Sequence, residues 1–194
     1  PPQGRADYAF FQHILMSMKK DTGRCAILFP HGVLFRNEES SMREKLVLSD
    51  LLECIIGLGP NLFYNSPMEA CIIICRTNKR PERRGQVLFI DAVNEITRKN
   101  AQSFLENKHI QKIASAYEKY EDIQDFAKVV TIKDIEDNNF SLSIPLYINS
   151  SDHNTEIDVR SLQERYESWR THSEMMKLRY AKLNSMIEGG NDVE

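Results

Sequence analysis

The chain alternates between short continuous apolar runs and segments whose apolar residues recur at helical spacing. Apolar runs of strand length that contain β-branched residues predict strands. These runs are residues 24–30, 51–57, 70–75 and 86–90. Residues 25–29 contain no polar position, which is typical of a strand covered on both faces. Helical spacing predicts helices, and it occurs in residues 6–18, 40–48 and 107–120. The pattern therefore predicts an α/β fold.

The pattern after residue 91 is less regular. On the helix predicted over 107–120, an apolar face is formed by Ile110, Ile113, Ala114 and Tyr117. Residues 126–135 predict a short strand followed by a helical turn. Residues 141–148 predict an extended segment, in which Pro145 argues against a central strand because it has no N–H for the ladder.

The end of the chain carries the most regular pattern. The residues of this pattern are spaced alternately four and three positions apart, as in the heptad seam of a coiled-coil-like helix. They are Leu162, Tyr166, Trp169, Ser173, Met176, Tyr180, Leu183 and Ile187. Cations flank this seam on both sides, so parallel pairing with a second copy would set like charges against each other. We therefore predict that the seam, apart from its polar Ser173, docks on a different protein.

These patterns divide the chain into four parts. Residues 1–148 are predicted to form an α/β domain, and residues 149–156 a linker rich in turn-forming residues. The heptad helix occupies residues 157–188, and Gly189 and Gly190 end it. Residues 189–194 are predicted to be a disordered tail.

Composition and charge narrow the functional classes. The chain is 41% hydrophobic and 27% charged, with a net charge of −3, which argues against a surface uniformly adapted to phosphate backbones. No apolar run approaches the ~20 residues of a membrane helix. The four cysteines all lie in apolar runs, where we expect reduced core thiols, as in a cytoplasmic protein. We expect no membrane partner and no metal site.

One connection between predicted strands is strongly basic. Residues 76–84 carry five cations against the single acid Glu82. The cations are Arg76, Lys79, Arg80, Arg83 and Arg84. Such a loop is a candidate for contacts with DNA phosphates. A solvated hairpin is the alternative.

A second loop carries aromatic side chains among turn-forming residues. Phe63 and Tyr64 lie in residues 59–67, between two predicted strands. Aromatic side chains on loops can stack on nucleobases. They can equally close the end of a sheet, so both interpretations stay open.

Five segments together resemble one protein family. In order along the chain they are PPQGRADYAFFQH at 1–13, FPHGVLFR at 29–36, IGLGPNLFY at 56–64, RGQVLFID at 84–91 and NNFSLSIPLY at 138–147. They are similar to segments of the modification (methyltransferase) subunits of type I restriction-modification systems. The likeness covers most of residues 1–148, and the terminal heptad helix also fits the family plan.

The resemblance implies the C-terminal half of a Rossmann-like class I methyltransferase sheet, followed by the docking helix. The implied reaction is methyl transfer from S-adenosylmethionine to the exocyclic amine of an adenine in DNA. The family's Gly-rich cofactor motif and its Asn-Pro-Pro-aromatic catalytic motif are expected upstream of Pro1. No catalytic residue is therefore assigned, and we expect the chain alone to be inactive and to hold no S-adenosylmethionine.

The resemblance also indicates residues and partners. Near the pocket for the target base it places Asp7, Tyr8, Phe10 and His31, together with Phe63 and Tyr64. His31 stands where the family usually has Asn. The implied partners are DNA, a specificity subunit and a restriction subunit, with the heptad seam as the subunit interface. The alternative is a non-catalytic α/β module that recruits a partner through the same helix.

Overall fold

The computed structural model describes residues 6–64, 66–100 and 102–148, and further along residues 166–167, 169–171, 173–177 and 180. Two compact units divide the chain, Pro1–Ser150 and Ser151–Glu194. The first unit contains all of the strands described below. No helix in these described ranges is both long enough and apolar enough to cross a membrane.

A mixed five-stranded sheet forms the centre of the first unit. Its strands are β1 (Arg24–Pro30), β2 (Leu52–Leu58), β3 (Ala70–Arg76), β4 (Gln86–Ala92) and, after a separate hairpin, β7 (Ala127–Thr131). Their spatial order is β1-β3-β2-β4-β7. Strands β2 and β4 are parallel, whereas β3 runs antiparallel to both β1 and β2. The carboxyl ends of β1, β2 and β4 therefore meet at one edge of the sheet.

Helices cover both faces of this sheet, which is the layered arrangement that an α/β pattern predicts. Three of them contribute buried residues to one core cluster: α1 (Asp7–Ser17), α2 (Ser40–Leu48) and α4 (Ile132–Asp137). On the other face, α3 (Asn107–Lys119) packs Ala116 into a second cluster. All seven residues of β2 are buried, because this strand lies in the middle of the sheet between the two layers.

The prediction that residues 25–29 are covered on both faces is wrong. In β1, Cys25, Ile27 and Phe29 face the first cluster, but Leu28 is 48% exposed. In the described part of the chain β1 pairs only with β3 and is the edge strand of the sheet. This continuous apolar run therefore belongs to a strand whose second face is not covered by the described residues.

Most elements after β4 are of the predicted type, but the buried face of α3 and the form of residues 141–148 differ from the prediction. Residues 127–137 form a strand and a short helix, as predicted. On α3 the face that packs inward includes Ile113, Ala116 and Tyr117, whereas Ile110 is half-exposed and Ala114 is exposed. Residues 141–148 contain a 3-10 turn at Ile144–Leu146 rather than an extended segment.

A two-stranded hairpin follows β4 and has no counterpart in the sequence prediction. Its strands are β5 (Thr97–Lys99) and β6 (Gln102–Phe104), paired antiparallel. Each has only three residues, and most are polar, so neither forms an apolar run.

The described residues of the second unit are helical. Five members of the predicted seam fall among them: Ser173 is partly buried, and Tyr166, Trp169, Met176 and Tyr180 are all more than half exposed. The rings of Tyr166 and Trp169 lie 6.0 Å apart between centroids. Leu162, Leu183 and Ile187 lie outside the described residues, as do the predicted linker and tail, so the seam stays a prediction.

Candidate functional site

The edge formed by the carboxyl ends of β1, β2 and β4 collects most of the predicted pocket residues. Ligands of open α/β sheets bind at this kind of edge, because the loops that leave parallel strands converge there. Residues 31–36 follow β1, residues 59–69 follow β2, and residues 93–104 follow β4. We call this the carboxyl edge.

His31 begins the segment after β1. Its backbone N–H donates to the carbonyl oxygen of Glu69 at 3.3 Å, and its Nδ1 lies 3.3 Å from the Glu69 carboxylate. The Nε2 atom is buried and has no hydrogen-bond partner among the described residues. The Glu69 contact fixes the ring, and a neutral imidazole that donates from Nδ1 keeps an acceptor at Nε2.

Of the predicted pocket residues on α1, two are open to solvent and one is buried in the core. Asp7 accepts a hydrogen bond of 3.2 Å from Nη1 of Arg36, in the segment after β1. Tyr8 is a core residue, whose hydroxyl donates to the Val33 carbonyl at 3.3 Å. Burial raises the pKa of Tyr8 well above its usual value. Phe10 is exposed on the outer face of the helix. Only Asp7 and Phe10 are therefore open to solvent.

The loop after β2 presents its aromatic residues outward. Tyr64 is 87% exposed and Phe63 is 36% exposed. Gly59 anchors the loop, because a Cβ at this position would lie only 2.4 Å from the Val93 carbonyl oxygen. The backbone N–H of Ser103 donates to the Asn61 carbonyl at 2.9 Å. This loop and the β5–β6 hairpin therefore form one connected surface.

A cleft of about 300 Å³ lies between this loop and the hairpin. Its lining includes Leu62 and Phe63 from the loop and Gln102, Ser103 and Phe104 from the hairpin. We call it the hairpin cleft. No group of three or more His, Cys, Asp or Glu in the described ranges is arranged to hold a metal ion.

A family model described as N-6 DNA Methylase matches residues 1–156 of the chain. The chain belongs to this family. The family named from the sequence resemblance is thereby confirmed, and curated relatives support it. One is the type I restriction enzyme MjaVIII methylase subunit of Methanocaldococcus jannaschii, which is 34% identical across 97% of this chain. Another is the HindI methylase subunit of Haemophilus influenzae, 29% identical across 78%.

The relatives are longer proteins. The matches cover 33% of the MjaVIII subunit and 36% of the HindI subunit, so the chain spans about a third of the length of these curated relatives. Among solved structures, the methyltransferase subunit of a type I restriction-modification system from Streptococcus thermophilus superposes with a TM-score of 0.72. It is 37% identical, and the match covers 76% of this chain and 31% of that chain. The N-6 DNA methylase chain thus has a mixed α/β fold similar to type I methyltransferase subunits.

The predicted phosphate-binding cations of this methylase chain lie at the opposite edge of the sheet. They follow the carboxyl end of β3, which runs antiparallel to β2. Seven-residue strands with a rise of ~3.3 Å per residue separate the two edges by about 20 Å. The structure therefore does not bring the basic connection together with Phe63 and Tyr64.

Most of these cations have partners inside the protein. Lys79 is buried, and its ammonium donates to Asp50 at 2.6 Å and to the Gln86 carbonyl at 2.9 Å. Arg83 is also buried, and its Nη1 donates to Glu53 at 3.2 Å. Arg76 donates to the same carboxylate at 3.0 Å. The remaining two, Arg80 and Arg84, are exposed.

Glu53 is the centre of this arrangement, which sequence reasoning missed. It is fully buried at the start of β2 and also accepts a hydrogen bond of 2.7 Å from the Tyr117 hydroxyl. Burial acts to raise the pKa of Glu53, but hydrogen bonds from Tyr117, Arg76 and Arg83 hold it below its usual value. An acid inside an otherwise apolar run was the available signal, because a buried carboxylate needs cationic partners.

Proposed function

We propose that this chain is part of a DNA adenine-N6 methyltransferase of the type I restriction-modification class, which uses S-adenosylmethionine as methyl donor. The family match over residues 1–156 is the observation that carries the proposal. Relatives named as type I methylase subunits support it further. The exposed aromatic loop at the carboxyl edge supplies chemistry that such a reaction needs.

The described sheet is, in this proposal, the C-terminal half of a larger Rossmann-like sheet. Two observations support it: the chain spans about a third of its relatives' length, and β1 has an unpaired edge in the described ranges. An open strand edge next to a half-exposed Leu28 is suited to pairing with another strand. We propose that residues encoded before Pro1 supply that strand.

We propose that the site for S-adenosylmethionine lies outside the described residues. A nucleoside cofactor is commonly held by a carboxylate that binds its ribose hydroxyls. At the carboxyl edge, Asp91 accepts from the Val93 N–H at 3.1 Å, and Asp7 and Glu69 are bound to Arg36 and His31. These carboxylates are occupied within the chain. In this proposal the cofactor and catalytic motifs belong to the upstream part of the enzyme.

The role proposed for Phe63 and Tyr64 is to contact the target adenine or its neighbours. An enzyme that modifies a base inside a duplex must take it out of the stack, and aromatic side chains then hold its face. Tyr64 projects almost entirely into solvent, and nothing else in the described structure explains a ring there. Asp7 and His31 contact Arg36 and Glu69 in the neighbouring part of the same edge.

The helix of the second unit is proposed as the docking element for the specificity subunit. Several large apolar side chains are exposed on it, including Tyr166, Trp169, Met176 and Tyr180. Exposed apolar residues at heptad spacing are a usual form of protein interface. One solved structure similar in fold is described as showing complex assembly of the type I restriction-modification system; it is 18% identical with a TM-score of 0.59. A restriction subunit would complete the assembly.

The experiment is to compare this chain with the longer subunit that includes the residues encoded before Pro1. The longer subunit, combined with its specificity subunit, is expected to form N6-methyladenine in DNA from labelled S-adenosylmethionine. The chain alone is expected to transfer no methyl group and to show no micromolar cofactor binding by calorimetry. Absence of N6-methyladenine from the complete assembly, with subunit binding retained, would favour the non-catalytic interaction module.

A further inference from the structure

The β5–β6 hairpin has a composition that neither the sequence prediction nor the proposed function uses. Antiparallel register places Lys99 opposite Gln102 and Thr97 opposite Phe104. Because side chains alternate along a strand, Lys99, Gln102 and Phe104 share one face of the hairpin. The Lys99 ammonium lies 5.9 Å from the centroid of the Phe104 ring. A cation, an amide and an aromatic ring are thus presented together.

This face is open to solvent. Phe104 is 40% exposed, and Lys99 and Gln102 are also exposed. A large aromatic side chain on a three-residue strand contributes little to the core when it is exposed to this degree. Its exposure beside a cation is typical of surfaces that bind unpaired nucleotides, on which bases stack and phosphates are neutralised.

The hairpin cleft beside this face also contains a buried polar group. Ser103 lines the cleft and is 2% exposed, and its hydroxyl has no hydrogen-bond partner among the described residues. A buried hydroxyl without a partner costs free energy relative to one that is bonded. Gln102 and Phe104 line the same cleft. Ser103 alternates with Gln102 and Phe104 along β6 and faces the other side of the hairpin, so the amide of Gln102 is the polar group beside the Phe104 ring.

The charges of the segment around the hairpin favour a negatively charged ligand. Residues 95–112 carry the four cations Arg98, Lys99, Lys108 and Lys112 and the two acids Glu95 and Glu106, whereas the whole chain has a net charge of −3. Both acids are engaged, because Glu95 pairs with Lys112 and Glu106 pairs with Lys108 at 3.2 Å. Arg98 and Lys99 are both exposed. The tip of the hairpin is therefore the positively charged part.

We propose that the hairpin face and the hairpin cleft bind an unpaired segment of a nucleic-acid strand, with a base on Phe104 and a phosphate on Lys99. Gln102, on the same face as Phe104, is the group that pairs with the polar edge of that base. The inference rests on the proposed function in taking DNA as the substrate. It adds a strand-binding site at the carboxyl end of β4, next to the loop that carries Phe63 and Tyr64, and Phe63 also lines the cleft.

The test measures binding of fluorescein-labelled single-stranded oligodeoxythymidine to the 194-residue chain by anisotropy. Phe104→Ala is expected to weaken binding roughly tenfold, and Phe104→Tyr, which keeps a stacking ring, to restore it. Lys99→Ala is expected to lower the slope of log affinity against log salt by about 0.7. Lys20→Ala is the matched control, because Lys20 is an exposed cation just after α1, away from the carboxyl edge.

Photocrosslinking to the same oligonucleotide carrying 5-iododeoxyuridine supplies the second readout. The proposal predicts a crosslink within residues 102–104. It is overturned if the crosslink maps elsewhere, if Phe104→Ala binds as tightly as the wild type, or if Lys20→Ala weakens binding as much as Lys99→Ala. Because no methyl transfer is measured, failure here is distinct from failure of the proposed methyltransferase activity.

Discussion

The buried carboxylate of Glu53 explains why two cations of the basic connection after β3 have a partner inside the protein. Glu53 accepts from Arg76, Arg83 and Tyr117, so three of its neighbours are held by one side chain. Arg83 also donates to the Tyr117 and Glu118 carbonyls near the end of α3 and lies 4.3 Å from the centre of the Tyr120 ring. This guanidinium therefore links β2 to the last turn of the helix that covers it.

Replacing Arg83 is expected to destabilise the protein strongly. Arg83→Ala leaves part of a buried carboxylate uncompensated, and breaking a buried pair in this way costs about 3–5 kcal/mol. Arg84→Ala is the matched control, because Arg84 is exposed and such contacts contribute less than about 1 kcal/mol. Urea unfolding of the two variants measures the difference, and equal losses would contradict the assigned role.

The lowered pKa of Glu53 also predicts how the stability of the protein depends on pH. Its pKa in the folded protein is below the usual value, so its contribution to stability is complete above the unfolded pKa of about 4.3 and is lost as pH falls through the lower folded value. Glu53→Gln removes this titration. The variant should be less stable near neutral pH and should lose less further stability on acidification, as followed by urea unfolding at each pH.

Cys25 differs from the other thiols because of the strand register. It lies directly opposite Cys75 in the β1–β3 pair. A hydrogen bond from the Cys75 thiol lowers the pKa of Cys25 to about 7, whereas burial raises the pKa of Cys71 to about 12. Since the thiolate is the nucleophile, Cys25 should react selectively.

Alkylation with iodoacetamide tests this difference. Labelling of Cys25, followed by mass spectrometry of the folded protein, should rise with a midpoint near pH 7, while Cys54 and Cys71 stay unlabelled. Cys75→Ala removes the thiol donor and should move the midpoint upward. An unchanged midpoint in that variant would show that Cys75 does not set the reactivity of Cys25.

At the scale of elements, the loops at the carboxyl edge depend on close backbone contacts. A Cβ at Gly59 would meet the Val93 carbonyl oxygen at 2.4 Å, and one at Gly57 would meet the Cδ1 methyl of Ile144 at 2.7 Å. A terminal methyl group can rotate away, whereas a backbone oxygen moves only with its segment. The first contact therefore fixes the loop after β2 against the segment that leads to the hairpin.

Gly59→Ala is consequently expected to disturb the hairpin more than Gly57→Ala does. The predicted result is faster amide hydrogen exchange in residues 97–104 for Gly59→Ala, with a smaller change for the control variant. Overpacking in either case costs about 1–3 kcal/mol. If exchange in the hairpin is the same in both variants, the Gly59 contact does not position it.

The sequence predicted elements that carry an apolar run or helical apolar spacing and missed the short strands that carry neither. β2 was predicted because all seven of its residues are buried. β5 and β6 were missed because three-residue polar strands leave no periodic pattern. Contacts such as Cys25 with Cys75, or Glu53 with Arg83, depend on register and on residues about 30–50 positions apart. No spacing rule within one element can supply them.

At the scale of the whole molecule, the two edges of the sheet have different roles. The amino end of β2 carries the buried ion network, which stabilises the junction of sheet and helix. The carboxyl edge carries exposed rings, the hairpin cleft and the exposed cations Arg98 and Lys99. This division is the reason why our proposal places DNA contacts at the carboxyl edge, whereas contacts of the exposed Arg80 and Arg84 with DNA phosphates stay a prediction.

The most direct test of this account is the rate of N6-methyladenine formation by the complete subunit assembly carrying Tyr64→Ala. Met68→Ala is the control, because Met68 is exposed in the same loop but has no ring. Loss of base stacking should lower kcat/KM for DNA by roughly 10- to 100-fold in Tyr64→Ala, while Tyr64→Phe and Met68→Ala stay near the wild type. Wild-type assembly that forms no N6-methyladenine, or a Tyr64→Ala variant as active as Met68→Ala, would contradict the account.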